Sequence, residues 1–242
     1  MIQSIQLRLR LKKNESADGR EYRATGFFYG LFIFAMLFSV FSGVNALNSG
    51  DLTGAVRALF ESVLGIAGFQ LRNAIVPEVE RRAKFIDKLR KITPEELGFI
   101  FVFSFIGWIV LVAVQSVTIS LYGKYAITGV PILSTVNFQS GTAIPLSLYQ
   151  GLVNFSNVVN VAVNESLFFN AGLQVYIENF TKNQWVAIGG QAFVAGIFHV
   201  VYSGLPAVIL AVAVSFVILG LLQYMSKSLE VPILTHFTAD FV

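Results

Sequence analysis

The chain has no cysteine, which excludes disulfides, thiolate zinc sites and cysteine nucleophiles and leaves its redox compartment unreadable. Charge is scarce. Only 13% of the 242 residues carry it, against about 25% in an ordinary soluble domain. Histidine occurs twice, internal repeats and low-complexity tracts are absent, and the His-Glu-x-x-His spacing of zinc peptidases does not occur. Hydrophobic residues, by contrast, make up 55% of the chain, with 23 phenylalanines that read as lipid-facing and packing groups. A composition of this kind specifies a polytopic integral membrane protein, an all-α bundle of six or seven transmembrane helices. The net charge of +3 does not indicate a nucleic-acid partner. The basic residues form two blocks beside apolar runs, and the aromatic residues fall inside those runs, not among the basic ones.

Residues 1–25 form a basic tail with Arg8, Arg10, Lys12, Lys13, Arg20 and Arg23. Gly26 to Asn48 is uncharged and long enough to cross a hydrocarbon core, for which about 20 helical residues suffice. Its long polar lead argues against a cleaved secretory signal. Asn48 to Asp51 (NSGD) is a turn. The apolar stretch Leu52 to Gln70 carries Arg57 and Glu61 at i,i+4, where they can pair and lower the expense of approaching lipid. Residues 26–71 thus read as a transmembrane hairpin. Residues 72–96 come next as a second basic segment with Arg72, Arg81, Arg82, Lys84, Lys88, Arg90 and Lys91. Two crossings between the basic blocks place both, and the N-terminus, on the cytoplasmic side, next to anionic lipid headgroups.

Residues 97–242 form the remaining transmembrane core. Thr93-Pro94-Glu95-Glu96 opens its first helix with a threonine cap, a first-position proline and acids in the first turn. That helix spans Leu97 to Tyr122. Tyr122 to Thr142 is rich in Gly, Pro, Ser and Thr and reads as an extracytoplasmic loop or a partly re-entrant segment. Ile144 to Gln174 is a longer apolar run that contains Asn154, Asn157, Asn160, Asn164 and Glu165. The asparagines follow a helical stripe, which turns this helix toward protein or water. A polar break at Glu178 to Gln184 precedes spans at Trp185 to Tyr202 and Leu205 to Tyr224, and a last apolar segment, VPILTHFTADFV, completes the chain.

Glu165 is the only formally charged residue between Lys124 and Glu178. Both histidines, His199 and His236, also lie in apolar segments, where a centred charge costs about 2.5 to 3.5 kcal/mol even on lenient insertion scales. His236 and Asp240 are four residues apart on one helix face, so the carboxylate can orient the imidazole or join it in binding one water or metal ion. A glutamate and two histidines from three helices can activate water. The same three residues, Glu165, His199 and His236, are also a ligand set for a divalent metal such as zinc. The residues do not choose between these two chemistries, and the cofactor stays unknown.

The segment Glu165-Ser166-Leu167-Phe168-Phe169-Asn170 resembles the Glu-Glu-x-x-Phe-Arg motif of the CAAX protease and bacteriocin-processing family of intramembrane endopeptidases. His199 in AGIFHVVY matches that family's second histidine motif, and His236-Phe237-Thr238-Ala239-Asp240 matches the third. The resemblance covers roughly Ile144 to Val242. It implies that Glu165 and His199 activate the water that attacks a scissile amide, and that His236 with Asp240 stabilises the oxyanion. Ser166 stands where the family has its second glutamate, Asn170 where it has arginine, and Ala195 where a phenylalanine precedes the histidine. Ser166 and Asn170 are both neutral, so one buried charge and its partner have gone together.

The expected function is an intramembrane endopeptidase acting on a membrane-associated peptide or protein. Its expected partners are membrane lipids, that substrate and other membrane proteins. One alternative is a catalytically silent relative that binds or organises a membrane assembly. Another is a small transporter or channel whose polar path is lined by Glu165 and the asparagines.

Overall fold

The computed structural model describes residues 26–75, 93–125, 148–203 and 206–241, all but the short connections being helix. The helices are α1 (Gly26–Asn48), α2 (Leu52–Ile75), α3 (Pro94–Tyr125), α4 (148–181), α5 (Gln184–Ser203), α6 (Pro206–Ser226) and α7 (Glu230–Phe241). The basic tail 1–25, residues 76–92 of the second basic segment and residues 126–142 of the proposed loop lie outside the described residues.

Local chemistry sets the helix ends. At the α1–α2 turn Gly50 takes φ +77°, a left-handed value that glycine adopts without strain. Asp51 caps α2 by accepting from the Gly54 amide at 2.8 Å. Thr93 and Glu96 form a reciprocal capping box at the start of α3, each backbone amide donating to the other's side chain at 3.1 and 3.2 Å. The Asn183 side chain accepts from the Trp185 and Val186 amides to start α5. Ser228 opens α7 in the same way, accepting from the Glu230 amide at 3.2 Å.

Three helical stretches, Phe27–Asn48, Leu52–Ala74 and Pro94–Val114, are long and apolar enough to cross a membrane, and Ala211–Ser226 is a shorter apolar helix. Leu37, Val40 and Leu47 on α1, Leu59 and Val63 on α2, Phe101 and Phe105 on α3, and Phe193 on α5 all point outward. So large an apolar exterior, rimmed by few charges, needs lipid as its solvent.

The long helix α4 runs between two packed clusters. On one side Val159, Val163, Leu167 and Ala171 meet Phe28, Tyr29, Leu31 and Ala35 of α1, with Leu229 and Ile233 from the start of α7. On the other, Phe169 meets Leu111 of α3, Ala192 and Ala195 of α5, and Phe216 and Leu219 of α6. The break expected at Glu178 to Gln184 falls in the second half of that stretch: α4 runs to Thr181, with Glu178 buried, ends at Lys182 with φ 56°, and α5 starts at Gln184.

Two parts of α4, Val159–Val163 and Leu167–Gln174, are π-helical. Each π turn inserts one residue and rotates the helix beyond it relative to the helix before it. The asparagine stripe divides accordingly: Asn160 and Asn164 are buried, while Asn157 is exposed. The second π segment is also where α2 comes closest. A methyl group added at Gly68 would lie 2.2 Å from the Leu167 carbonyl oxygen, and one at Gly172 would lie 2.7 Å from the Gly68 Cα. Only a bare backbone fits there, the small-residue contact typical of membrane helix pairs. Arg72, the first residue of the second basic segment, is a buried member of α2. Its guanidinium lies 5.2 Å above the Phe28 ring and donates to the Tyr29 hydroxyl at 3.3 Å.

Candidate active site

Glu165 and Ser166 occupy the short α-helical turn Asn164–Ser166 between the two π segments. The Glu165 side chain is 4% exposed, and its Oε1 lies 3.4 Å from Nε2 of His199 on α5, whose side chain is 22% exposed. The other ring nitrogen of His199, Nδ1, lies 2.8 Å from the Ala195 carbonyl one turn earlier. A carbonyl can only accept, so Nδ1 carries a hydrogen, and Nε2 is the nitrogen that trades protons with Glu165. One helix therefore aims the imidazole and a second supplies its carboxylate.

His236 on α7 joins from a third direction. Its Nδ1 is 2.9 Å from the Ser166 hydroxyl and its Nε2 is 3.5 Å from Asp240 Oδ2. Both imidazoles rest on one ring: Phe216 of α6 has its centroid 6.2 Å from that of His199 and 5.4 Å from that of His236. Phe169 packs edge-on against Phe216 and Phe198, closing the apolar floor. The two carboxylate–imidazole distances are long for hydrogen bonds, as is usual in a site without substrate.

Glu165, His199, Ser166, His236 and Asp240 thus meet in one place. Asn170 does not reach them. It is fully buried, and its side-chain oxygen and nitrogen bond no described residue, while its backbone carbonyl accepts from Gln223 at 3.0 Å. Ser166 bonds His236 and the Asn170 side chain bonds no described residue, so the two do not act as a hydrogen-bonded replacement pair.

Among the described residues no group of three or more His, Cys, Asp or Glu side chains is arranged to hold a metal ion. The reason is visible at His236, whose nitrogens face Ser166 and Asp240. The set Glu165, His199 and His236 therefore does not fit a three-ligand zinc centre as it stands, and no catalytic step is routed through one.

Reasoning from the sequence missed the buried amides around this site. Gln174, Gln191 and Gln223 are unexposed and donate to the carbonyls of Gly220, Phe216 and Asn170. Their signal was their position in apolar helices. It also treated Glu61 only as a mate for Arg57. Glu61 is 1% exposed, and neither of its carboxylate oxygens hydrogen-bonds a described residue.

Fold and site together define a class: a helical integral membrane protein with a carboxylate–imidazole pair and a second imidazole gathered inside the bundle. The family model for Rce1-like proteins, type II CAAX prenyl endopeptidases, matches residues 147–242, which is consistent with membership of the CAAX protease and bacteriocin-processing family. The match takes in α4 to α7, which carry Glu165, Ser166, Asn170, His199, His236 and Asp240. No curated protein and no solved structure matches the chain.

Proposed function

We propose that the protein is an intramembrane endopeptidase that cleaves a membrane-associated peptide or protein. The observation that carries the reading is the buried contact between Glu165 Oε1 and His199 Nε2 at 3.4 Å. A water held between such a pair and a scissile amide loses a proton to the pair as its oxygen attacks the carbonyl carbon. The same proton then passes to the leaving nitrogen. His236, held by Ser166 and backed by Asp240, turns toward the developing oxyanion in the substrate complex. The apolar setting, floored by Phe216 and Phe169, strengthens each of these interactions by excluding bulk water.

The proposal keeps the N-terminus and both basic segments cytoplasmic, touching anionic headgroups, with lipid and membrane-bound substrates as partners. The test is cleavage of a membrane-anchored peptide by the purified full-length chain in liposomes, beside Glu165→Gln and His199→Ala. Turnover confined to the unsubstituted chain is the expected result. Equal turnover in all three ends the assignment.

The loss of a second adjacent acid at Ser166, together with the Asn170 side chain that bonds no described residue, favours a second reading, a silent relative that binds membrane proteins. That reading predicts no turnover by any form and retention of a membrane partner by Glu165→Gln.

A further inference from the structure

The matched domain begins at residue 147, yet the site it carries is pressed upon by α2 of the N-terminal hairpin. Gly65 faces Asn164, whose Oδ1 would lie 2.2 Å from an added methyl group, and Gly68 faces Leu167. The α2 helix therefore meets α4 on both sides of Glu165, against the Asn164 side chain at Gly65 and against the Leu167 backbone at Gly68. One turn before Gly65, the Phe60 ring stacks on Phe198 with centroids 5.4 Å apart and planes 10° apart. Phe198 immediately precedes His199. Glu61, the neighbour of Phe60 and one turn from Gly65, is thus fixed between these two contacts.

Its side chain is buried, and neither oxygen bonds a described residue. Arg57, four residues earlier, acts on it electrostatically, as do Glu165 and His199. An ionisable group in a bundle interior without hydrogen bonds is too expensive to keep as packing alone. Among the described residues, the ionisable groups that act on it electrostatically from the elements packed on α2 are Glu165 and His199.

We propose that Glu61 is a positioning residue of the active site: a second carboxylate, contributed by the hairpin, that acts through His199 and steadies the imidazolium formed when the Glu165–His199 pair takes up a proton. It differs from a carboxylate that orients a catalytic imidazole through a hydrogen bond, because its oxygens bond no described residue and its influence is electrostatic. In a low-dielectric interior its influence does not require direct contact. The hairpin then becomes part of the working enzyme and not only a membrane anchor. The kinetic part of this inference rests on the proteolytic reading; the electrostatic part does not.

With only two histidines in the chain, both parts can be tested. The full-length protein, labelled with ¹⁵N-histidine and held in lipid nanodiscs, gives ring-nitrogen signals that His236→Gln assigns. Glu61→Gln should shift the His199 signals and leave those of His236 in place. Glu61→Asp should shift them less, and Val63→Ala, on the exposed face of α2, not at all. Cleavage should fall about tenfold or more in kcat for Glu61→Gln with KM little changed, and Glu61→Asp should recover part of it. Unmoved His199 signals in Glu61→Gln, or in Glu61→Asp should the former not fold, overturn the proposal whatever the kinetics. So does an active parent whose kcat Glu61→Gln leaves intact. Shifted signals in a chain that never cleaves uphold the electrostatic link and sink the proteolytic reading alone.

Discussion

The two sides of α4 both bury polar groups, but they treat them differently. Toward α1, the groups bond one another. Asn164 donates to the Ser39 hydroxyl at 2.9 Å and to Asn160 Oδ1 at 3.1 Å, Ser39 bonds Asn160 and the Ala35 carbonyl, and Ser42 meets Ser156 at 3.1 Å. Only Asn164 Oδ1 is left over, against Gly65 of α2. Toward α5, α6 and α7 the carboxylate–imidazole contacts are looser: 3.4 Å between Glu165 and His199, 3.5 Å between His236 and Asp240. Here the Asn170 side chain, and one oxygen each of Gln174, Gln191 and Gln223, bond no described residue. A network closed on itself locks a helix pair. Groups aimed at one another without closing keep bonding capacity for a reacting molecule.

Four substitutions can break or sharpen this contrast. Glu165→Gln keeps the volume of the side chain and removes its proton-accepting role, so peptide cleavage should fall by about 10² to 10⁴ with no change in thermal unfolding in detergent. Phe216→Ala removes the ring beneath both imidazoles; a loss of about 3 to 5 kcal/mol in stability should appear in denaturation curves along with lost activity. Ser39→Ala should cost about 1 to 3 kcal/mol by stranding Asn160 and Asn164, while turnover per folded molecule stays as it was. A Ser39→Ala protein that loses activity and keeps its stability would abolish the distinction between the two sides. Asn157→Leu, on the exposed part of α4, should change unfolding by no more than about 0.5 kcal/mol.

Much of the architecture was legible because its signals are local. The turn at Gly50, the cap at Thr93 and the apolar runs each depend on a few adjacent residues, and the helices begin where those residues place them. The order Glu165, His199, His236 was legible too, since isolated ionisable residues stand out in an apolar chain. The direction of Asn157 was not, because a π turn leaves no mark in the spacing of side chains and arises from how α4 packs. Nor was the lack of a hydrogen bond between Asn170 and Ser166, which depends on what each side chain meets in the packed bundle. Glu61 was legible as a mate for Arg57, which acts on it electrostatically, but its burial inside the bundle was not, since i,i+4 spacing shows which residues share a helix face but not which helix that face meets.

Composition and periodicity alone determined that this chain lies in a membrane as a helical bundle, because lipid admits little else that satisfies every backbone amide. Three segments, holding Glu165, His199 and the pair His236 and Asp240, were likewise plain in the sequence. That α5 and α7 deliver their imidazoles to the same turn of α4 was decided only by tertiary packing. So was the close approach of α2, which depends on Gly68 and Gly172 standing opposite each other. Such contacts are set by the fit of whole helices, a property that no single stretch of residues carries.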